Sequence, residues 1–356
     1  MKQFLLGMQD RLMIVRPSSE GRIVSYRLHG TQPLALAADP YASDRLYCAT
    51  YGSGLWKSED GGDSWSAIGK PGLYHERNTE KGMRSAQITA LAVHPTRKGW
   101  VYAGTEPSAL YVSRDYGEHW SEFRGIQELP SKPHWQFPPR PYTSHVRWIT
   151  PSYAKEERIG VSIEAGAFLN TSDDGEHWND RSSASPLDTH TLLAHPKAPG
   201  RLYAACGDGL FAKEHAYAES HDEGRTWTFK SEGLERHPYL YGMTLHPADP
   251  EIRLVSAAES ASAAHHSSLY STLYRKTGEY PWQEIGEGLP REGAFIAVLA
   301  ADPVEKGVFY ALNNFGLYRL PSGQDRWERL EIAWDTAFEK QHPGCLWVGD
   351  YDSAEE

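Results

Sequence analysis

Short apolar runs, rich in aromatic and small residues, are separated by turn residues along the whole chain. Leu46-Tyr47-Cys48-Ala49-Thr50 is one such run, and Val101-Tyr102-Ala103-Gly104-Thr105 occupies the corresponding place about fifty residues later. The runs are too short for ordinary helices, and the content of 12 Trp and 20 Tyr suits strands better than helices. The pattern predicts an all-β protein.

One polar motif recurs between the predicted strands and is called the turn motif below. It reads Ser/Thr-x-Asp-x-Gly-x-x-Trp and occurs at Ser58–Trp65, Ser113–Trp120, Thr171–Trp178 and Ser220–Trp227. The Asp and the hydroxyl can accept hydrogen bonds from nearby backbone N–H groups, and the Gly allows a positive φ. We therefore expect a tight turn between strands in each copy. A repeat period of roughly fifty residues is typical of propellers or solenoids.

Each motif lies inside a larger unit of four predicted strands. The first strand ends in Asp-Pro or His-Pro, the second consists of small residues, the third runs into the motif and the fourth starts at its Trp. Units six and seven keep this frame without the motif. In unit five the third strand is expected at residues 210–212, lengthened by an insertion around residues 214–219.

The two ends of the chain complete the architecture. Residues 4–8, 12–15 and 23–28 resemble three strands of a unit without its leading strand, and residues 345–349 form an orphan strand. Pairing the two ends would remove an exposed sheet edge. We predict a single domain over residues 1–356, an all-β, seven-bladed β-propeller with four-stranded antiparallel blades. The expected blades are approximately 4–30 plus 343–350, 31–70, 85–125, 144–182, 188–232, 238–288 and 293–332.

The four motifs, with the frame at residues 91–95 and 101–105, resemble the BNR/Asp-box propellers of the sialidase-like superfamily (WD40/YVTN/BNR-like repeat proteins). The resemblance covers nearly the whole chain and implies that the motifs lie on the blade periphery, away from the central channel. Members include sialidases, other glycoside hydrolases, non-catalytic sorting receptors and photosystem assembly factors, so the resemblance does not identify a function. The Arg-Ile-Pro motif, the three clamping arginines and the Tyr–Glu pair of true sialidases are not found here.

Composition excludes several classes of partner. The formal charge of −11 argues against nucleic acid, which requires a basic face. No apolar run approaches the ~18 residues of a membrane span, and Met1–Val15 has no signal-peptide cleavage site, so we expect a cytoplasmic protein. The cysteines are odd in number and far apart, which favours free thiols at Cys48, Cys206 and Cys345.

If the blades are equivalent, the residue after each second strand lies at the channel mouth. Almost all of these positions are polar although they follow strands of small apolar residues, and Asp208 follows the one exception. Three carboxylates at one mouth repel one another, which raises a pKa or recruits a cation. The alternative is a solvated rim without chemistry. In blade order the positions are Gln9, Tyr51, Glu106, Glu164, Gly207, Glu259 and Asn314.

The starts of the innermost strands supply a second polar set. Arg147 stands in an apolar strand and needs a partner, for which Glu164 of the same blade is the candidate. We expect Arg147 either to bind a substrate carboxylate or phosphate or to form a structural salt bridge. His190 is expected to be a general base, a metal ligand together with His145 and Glu164, or a channel-lining side chain. Tyr241 occupies the corresponding place in blade six.

Two inter-blade segments, Leu73–Gln87 and Gly125–Ser144, are longer than ordinary connections. Structureless loops of this length are uncommon unless they are functional. Both follow the last strand of one blade and precede the first strand of the next. We therefore expect them to roof the channel mouth.

These features favour an enzyme, glycoside hydrolase-like or a lyase, acting on a small polar or anionic, carbohydrate-type substrate. Arg147 would bind an anionic group, and Glu164 and His190 would be the acid–base residues. The cofactor that these residues could hold is a divalent metal ion at the channel mouth. The alternative is a non-catalytic protein-interaction or assembly-factor propeller that uses Trp135 and Phe137 as an exposed surface. The remaining pocket residues are expected to be Tyr51, Glu106, His145, Asp208, Tyr241, Glu259 and Asn314.

Overall fold

The computed structural model describes residues 2–69, 82–266 and 269–350. In this part of the chain nearly all regular structure is strand, with one short helix, α1 (Ala261–His265), and five 3-10 turns. Antiparallel sheets follow one another along the chain, each meandering from its first to its last strand. This is the seven-bladed β-propeller with four-stranded antiparallel blades that the sequence predicts. The chain divides into two compact units, residues 1–33 with 232–356, and residues 34–231.

Blade 1, in the first unit, is completed by the C-terminal strand. The order of its strands is β27 (Cys345–Asp350), β1 (Lys2–Gly7), β2 (Leu12–Ser18) and β3 (Gly21–Arg27). Phe4 pairs with Val348 and Leu5 with Trp347 across the β1–β27 ladder. The predicted joining of the chain ends is confirmed.

Four blades make up the second unit. Blade 4 has three named strands, and a bridge between Asn170 and Asn179 takes the place of the fourth. The strands are β4 (Gln32–Asp39), β5 (Ala42–Tyr51), β6 (Gly54–Ser58), β7 (Ser66–Ile68), β8 (Ile88–Val93), β9 (Val101–Thr105), β10 (Leu110–Ser113), β11 (Ser121–Glu122), β12 (Val146–Pro151), β13 (Ile159–Ile163), β14 (Ala167–Thr171), β15 (Thr189–His195), β16 (Ala198–Cys206), β17 (Tyr217–Ser220) and β18 (Thr228–Phe229).

Blades 6 and 7 belong to the first unit. Their strands are β19 (Tyr239–His246), β20 (Asp249–Ala258), β21 (Ser271–Thr277), β22 (Gln283–Glu284), β23 (Val298–Ala301), β24 (Phe309–Asn313), β25 (Gly316–Leu320) and β26 (Glu328–Arg329). The 3-10 turns among the described residues are Arg124–Glu128, Lys132–His134, Asp208–Leu210, Lys213–His215 and Thr336–Lys340.

The four turn motifs fold alike. In the second copy the Gly117 N–H donates to Ser113 Oγ (2.8 Å), the His119 N–H donates to Asp115 Oδ1 (2.9 Å) and the Trp120 indole donates to the Gly117 carbonyl (2.9 Å). The other copies repeat all three bonds. The motif Gly has a φ of 94° here and similar values elsewhere, as expected. The tight turn predicted from the sequence is confirmed.

The third strand of blade 5 differs from the prediction. Residues 210–212 are not a strand: Leu210 ends the 3-10 turn Asp208–Leu210, residues 211 and 212 follow it, and β17 at Tyr217–Ser220 pairs with β16 instead. Phe211 is 90% exposed, whereas Tyr217 and Ala218 are buried. The predicted assignment was wrong because the insertion precedes the strand rather than lengthening it.

Three further expectations concern the cysteines, the first roof segment and membrane-spanning segments. Cys48, Cys206 and Cys345 are buried free thiols, as predicted. Most of the predicted roof segment Leu73–Gln87, residues 73–81, lies outside the described part of the chain. Among the described residues, no helix has the length and apolarity of a membrane-spanning segment.

Candidate functional site

The predicted residues of blades 4 and 5 converge on Glu164, which directly follows β13. The His145 Nε2–H donates to Glu164 Oε2 (2.9 Å), and Arg147 Nε lies 3.2 Å from the same oxygen. His190 Nε2 lies 3.8 Å from the other oxygen, Oε1. The sequence predicted Glu164 as the partner of Arg147, and the structure has this contact.

Bulges in the innermost strands place two of these side chains. In β12 the register shifts between Val146 and Trp148, so the β12–β13 register skips Arg147. In β15 the register shifts between Thr189 and Thr191, so the β15–β16 register skips His190 in the same way. A bulge bends the strand and redirects the side chain of the extra residue. Equivalent shifts occur at the starts of β8 and β19.

The charge of Glu164 is stabilised by its neighbours. Burial by itself would raise the pKa of this half-buried carboxyl. The charges of His145, His190 and Arg147, together with the His145 hydrogen bond, outweigh burial and hold the pKa of Glu164 far below its ordinary value. Glu164 is therefore a carboxylate throughout the physiological range.

Asp188 is a site residue that the sequence analysis missed. It directly precedes β15, and its Oδ1 lies 3.6 Å from His190 Nε2 while accepting the Ala165 N–H at 2.9 Å. Burial raises the pKa of Asp188, the negative charge of Glu164 adds to this, and His190 offsets part of it. A signal was available, since residues two apart near a strand start point to the same side.

Asp208 orients Asp188 through the backbone. Asp208 Oδ2 accepts the Asp188 N–H (2.8 Å), and both of its oxygens accept the Leu187 N–H (3.2 Å). Burial raises the pKa of Asp208 as well. The residue before Asp208 is Gly207, and steric crowding explains why it is a glycine. A side chain there would overlap the Asp188 carboxylate and the His190 ring.

Glu106 is held by a second residue that the sequence analysis did not single out. Arg140, from the Gly125–Ser144 segment, donates twice to its carboxylate, with Nε at 2.9 Å from Oε1 and Nη2 at 2.7 Å from Oε2. The Tyr51 hydroxyl donates to Oε1 at 3.3 Å. His145 Nδ1 lies 3.8 Å from Oε2, which is too long for a hydrogen bond. Burial and the Glu106 charge raise the pKa of Tyr51.

The Gly125–Ser144 segment covers part of this site. The Phe137 ring packs edge-on against the His145 ring, with centroids 4.8 Å apart, and the Arg140 guanidinium lies 4.8 Å from the Phe137 centroid. Trp135 is buried and donates to Ser131 Oγ (2.7 Å). Trp135 therefore does not form the exposed surface suggested for the alternative function.

Three predicted residues lie in the other unit. The Tyr241 ring contacts the rings of His265 and His342, at centroid distances of 4.8 and 5.6 Å. Glu259 is exposed. Asn314 is buried, and its side chain bonds to backbone groups of Gly293, Phe295 and Glu339. Within residues 34–231 the structure brings together Tyr51, Glu106, His145, Arg147, Glu164, His190 and Asp208, with Asp188 and Arg140 added.

Among the described residues, one group has the residue types and spacing for a divalent metal. One ligand atom each from Glu164, Asp188 and His190 lie within 4.8 Å of one another. The set predicted from the sequence has His145 in place of Asp188, but the Nε2 atom of His145 is engaged with Glu164 Oε2. Carboxylate and imidazole ligands suit Mn²⁺ or Zn²⁺. Metal binding at this site stays a prediction.

Comparison with known proteins gives one partial sequence match and several similar folds. No family model matches the chain. An oligoxyloglucan-reducing end-specific xyloglucanase of Emericella nidulans is 32% identical over 96 residues, which are 25% of this chain and 10% of that enzyme. The chain therefore spans about a tenth of the length of the curated relative that it matches.

Solved structures extend the similarity to most of the chain. An ancestral GH74 enzyme matches 85% of this chain and 39% of its own, with a TM-score of 0.63 and 16% identity. The GH74 xyloglucanase of Xanthomonas campestris matches 83% of this chain and 44% of its own, with a TM-score of 0.61 and 15% identity. YCF48 bound to D1 peptide matches 87% of this chain and 84% of its own, with a TM-score of 0.56 and 14% identity. At these identities the shared feature is the propeller fold.

Proposed function

We propose that this protein is a glycoside hydrolase-like enzyme of the sialidase-like propeller type, acting on a small polar or anionic, carbohydrate-type substrate. The observation that carries the proposal is the pair Glu164 and Asp188. Their oxygens approach within 4.8 Å, and their surroundings move the two pKa values in opposite directions. Two carboxyl groups with separated pKa values are the requirement for glycoside hydrolysis.

The two carboxyl groups take different roles in the proposed reaction. Asp188, with the raised pKa, donates its proton to the oxygen of the leaving group as the glycosidic bond breaks. Glu164, held by His145 and Arg147 on Oε2, presents Oε1 to the positive charge that develops at the sugar carbon. Glu164 Oε1 bonds to that carbon as the leaving group departs, and water then attacks the carbon, which releases Glu164 as a carboxylate and returns a proton to Asp188.

The spacing of the two carboxyl groups predicts the stereochemistry of the reaction at the anomeric carbon. Retaining glycosidases have carboxyl groups about 5–5.5 Å apart, and inverting enzymes about 6.5–9.5 Å apart. The separation of under 4.8 Å between Glu164 and Asp188 oxygens is nearer to the first class. We therefore expect the product sugar to keep its anomeric configuration, with Glu164 as the nucleophile.

The comparisons support this proposal without carrying it. The proteins of the GH74 structures share the fold with this chain, and two of the relatives above are named xyloglucanases. Elimination by a lyase remains the alternative reaction of the same site, because a general acid and an anionic carboxylate serve that chemistry also. Product analysis separates the two, since elimination leaves an unsaturated sugar.

Hydrolysis of a panel of aryl glycosides and uronides tests the proposal, with NMR of the first-formed anomer. Asp188→Asn and Glu164→Gln are expected to lose activity by a factor on the order of 10² or more while keeping the fold. Asp44→Asn is the matched control, because Asp44 is an exposed aspartate outside the site. Full activity of either site variant would overturn the assignment.

A non-catalytic role is the second candidate. This chain covers 84% of the YCF48 chain in the structure with D1 peptide, but only 39% of the ancestral GH74 enzyme. Under this hypothesis the chain binds a peptide and has no turnover. Absence of activity on the whole panel, together with saturable peptide binding that Glu164→Gln leaves unchanged, would favour it.

Two further assignments belong to the proposal. A cytoplasmic location is expected from the sequence and is tested by cell fractionation. A single folding domain over residues 1–356 is tested by calorimetry, since one domain unfolds in one cooperative transition.

A further inference from the structure

We infer that Arg140 recognises a carboxylate of the substrate, and that Glu106 stands in the place of that carboxylate in this structure. The inference rests on the proposed function for the statement that the ligand is a sugar, and it narrows the substrate class to uronic acids. It also moves anion recognition from Arg147, where the sequence analysis placed it, to a residue of the covering segment.

Arg140 is the accessible cation of the site. Its side chain is 37% exposed, whereas the Arg147 side chain is 15% exposed and lies against Glu164 deep in the site. The Arg140 guanidinium already binds a carboxylate through two parallel hydrogen bonds. This planar two-point geometry is what a guanidinium offers to any carboxylate, so the Glu106 pair shows the shape of the ligand group.

The backbone hydrogen bonds around Arg140 lie within its own segment. The Arg140 N–H donates to the Phe137 carbonyl (2.7 Å), the Thr143 N–H donates to the Arg140 carbonyl (3.0 Å), and the Phe137 N–H donates to the Thr143 carbonyl (2.7 Å). These bonds close a turn on itself rather than onto a strand. Arg140 can therefore exchange one carboxylate for another without breaking a β-ladder.

Glu106 has other partners beside it. His145 Nδ1 is buried and has no hydrogen-bond partner among the described residues, and it lies 3.8 Å from Glu106 Oε2. The Tyr51 hydroxyl already donates to Oε1. A buried carboxylate that lost its only partner would carry a large desolvation cost. A rotation of Glu106 toward His145, whose Nδ1–H donates when the ring carries both protons, would replace the Arg140 contact and leave Arg140 to a substrate carboxylate.

Binding measurements test the inference independently of turnover. The protein carries Asp188→Asn throughout, and calorimetry compares the methyl glucuronides and galacturonides of both anomers with the corresponding methyl glucosides and galactosides. In each pair the uronide has a carboxylate at the position where the neutral glycoside has a hydroxymethyl group. We expect at least one uronide to bind on the order of tenfold or more tightly than its neutral counterpart, as charge-assisted hydrogen bonds imply.

Two variants should act in opposite directions. Arg140→Gln is expected to abolish the preference for the uronide. Glu106→Gln is expected to strengthen uronide binding several-fold, because a neutral amide competes less well for the guanidinium. Arg291→Gln is the control: this arginine is 36% exposed, pairs with Glu284 at 2.8 Å and lies in the other unit. It should leave both affinities unchanged.

The direction in which Glu106→Gln changes uronide affinity distinguishes a role of Arg140 in recognition from a purely structural role. If the Glu106–Arg140 pair only holds the covering segment, Glu106→Gln weakens binding as Arg140→Gln does, and the inference is wrong. Equal affinities for uronides and neutral glycosides, or no uronide binding, also overturn it. Hydrolysis of neutral glycosides with no uronide preference would leave the proposed function intact. Uronide binding with these variant effects but no turnover would reject the function alone.

Discussion

At the scale of single residues, the site is built from charges that are balanced unequally. Glu164 has two basic neighbours in contact, His145 and Arg147, whereas Asp188 has His190 at 3.6 Å and the negative Glu164 nearby. The result is one stabilised and one destabilised carboxylate only a few ångströms apart. Shifted pKa values of this kind cluster at functional sites, and their cost in stability must be offset elsewhere in the fold.

The raised pKa of Asp188 makes a stability prediction. A carboxyl whose pKa is higher in the folded than in the unfolded protein costs stability once the pH rises above the unfolded value, because the fold disfavours its charge. Asp188→Asn is therefore expected to stabilise the protein at neutral pH, by about 0.5–2 kcal/mol, while it abolishes activity. The gain should shrink as the pH falls toward 4, the ordinary range of an aspartate.

Urea unfolding of both proteins at several pH values measures this difference. Asp44→Asn again is the control, since it should change neither quantity. A variant less stable than the parent at pH 7 would show that the Asp188 charge is favourable in the fold, which contradicts the assigned direction.

At the scale of elements, the turn motif joins neighbouring blades as well as neighbouring strands. The motif Gly of one blade packs on an apolar side chain of the blade before it: Gly117 on Ile68, Gly175 on Phe123 and Gly224 on Phe168. The sequence alone indicates only a conformational need for this Gly, its positive φ. The structure adds a steric one, because a Cβ would overlap the packed side chain.

Gly175→Ala tests both reasons together. Gly175 has a φ of 84°, which costs roughly 1–3 kcal/mol for a residue with a side chain, and the Phe123 ring adds to that cost. Gly323→Ala is the matched control, because Gly323 has a φ of 73° with nothing within 4 Å of its Cβ position. Denaturant unfolding should show the larger loss for Gly175→Ala. Equal losses would mean that the inter-blade contact is unimportant.

The motif carboxylates should also make the fold acid-sensitive. The Asp60 carboxyl is partly desolvated, which would raise its pKa, but hydrogen bonds from Ser64 and Ser58 outweigh this and lower it to about 2. A lowered folded pKa contributes stability above the unfolded value, and this is lost as the pH falls through the folded value. We expect stability to decline between about pH 4 and pH 2.

Asp60→Ala should lose about 0.5–2 kcal/mol at neutral pH, the range for removal of a capping-type side chain, and should show a smaller decline in acid. Thermal unfolding from pH 7 to pH 2 measures both effects. An identical pH profile for parent and variant would show that Asp60 is not a source of the acid sensitivity.

At the scale of the molecule, the fold depends on the pairing of the two chain ends. Strand β27 covers the edge of β1 over six residue pairs, and Val348 belongs to the same apolar cluster as Phe4 and Leu6. A chain that ends at Gly344 would leave β1 as an open edge with an uncovered apolar face. We expect such a chain to aggregate and to lose most of its thermal stability.

Size-exclusion chromatography and thermal unfolding measure the effect of this truncation. A chain that ends at Asp350 is the control, because it keeps all of β27 and should behave as the full chain does. A monodisperse truncated protein of unchanged stability would contradict the role assigned to β27.

The sequence by itself determined the repeating architecture, because the turn motif and the strand frame are local patterns. A period of about fifty residues, the free cysteines and the pairing of the chain ends all follow from local signals or from counting strands. The convergence of Arg147 with Glu164 was also predictable, since a charge in an apolar strand requires a partner. The Phe211 segment was misassigned because an apolar run does not reveal whether it is buried.

Only the tertiary structure decided which polar residues share a site. The bulges at Arg147 and His190 direct these side chains, and a bulge depends on how two strands pair rather than on either sequence alone. Arg140 reaches Glu106 from 34 positions away along an irregular segment, which no period predicts. Asp188 matters because Glu164 and His190 lie beside it in space. The chemistry depends on distances between blades, and these are fixed by packing.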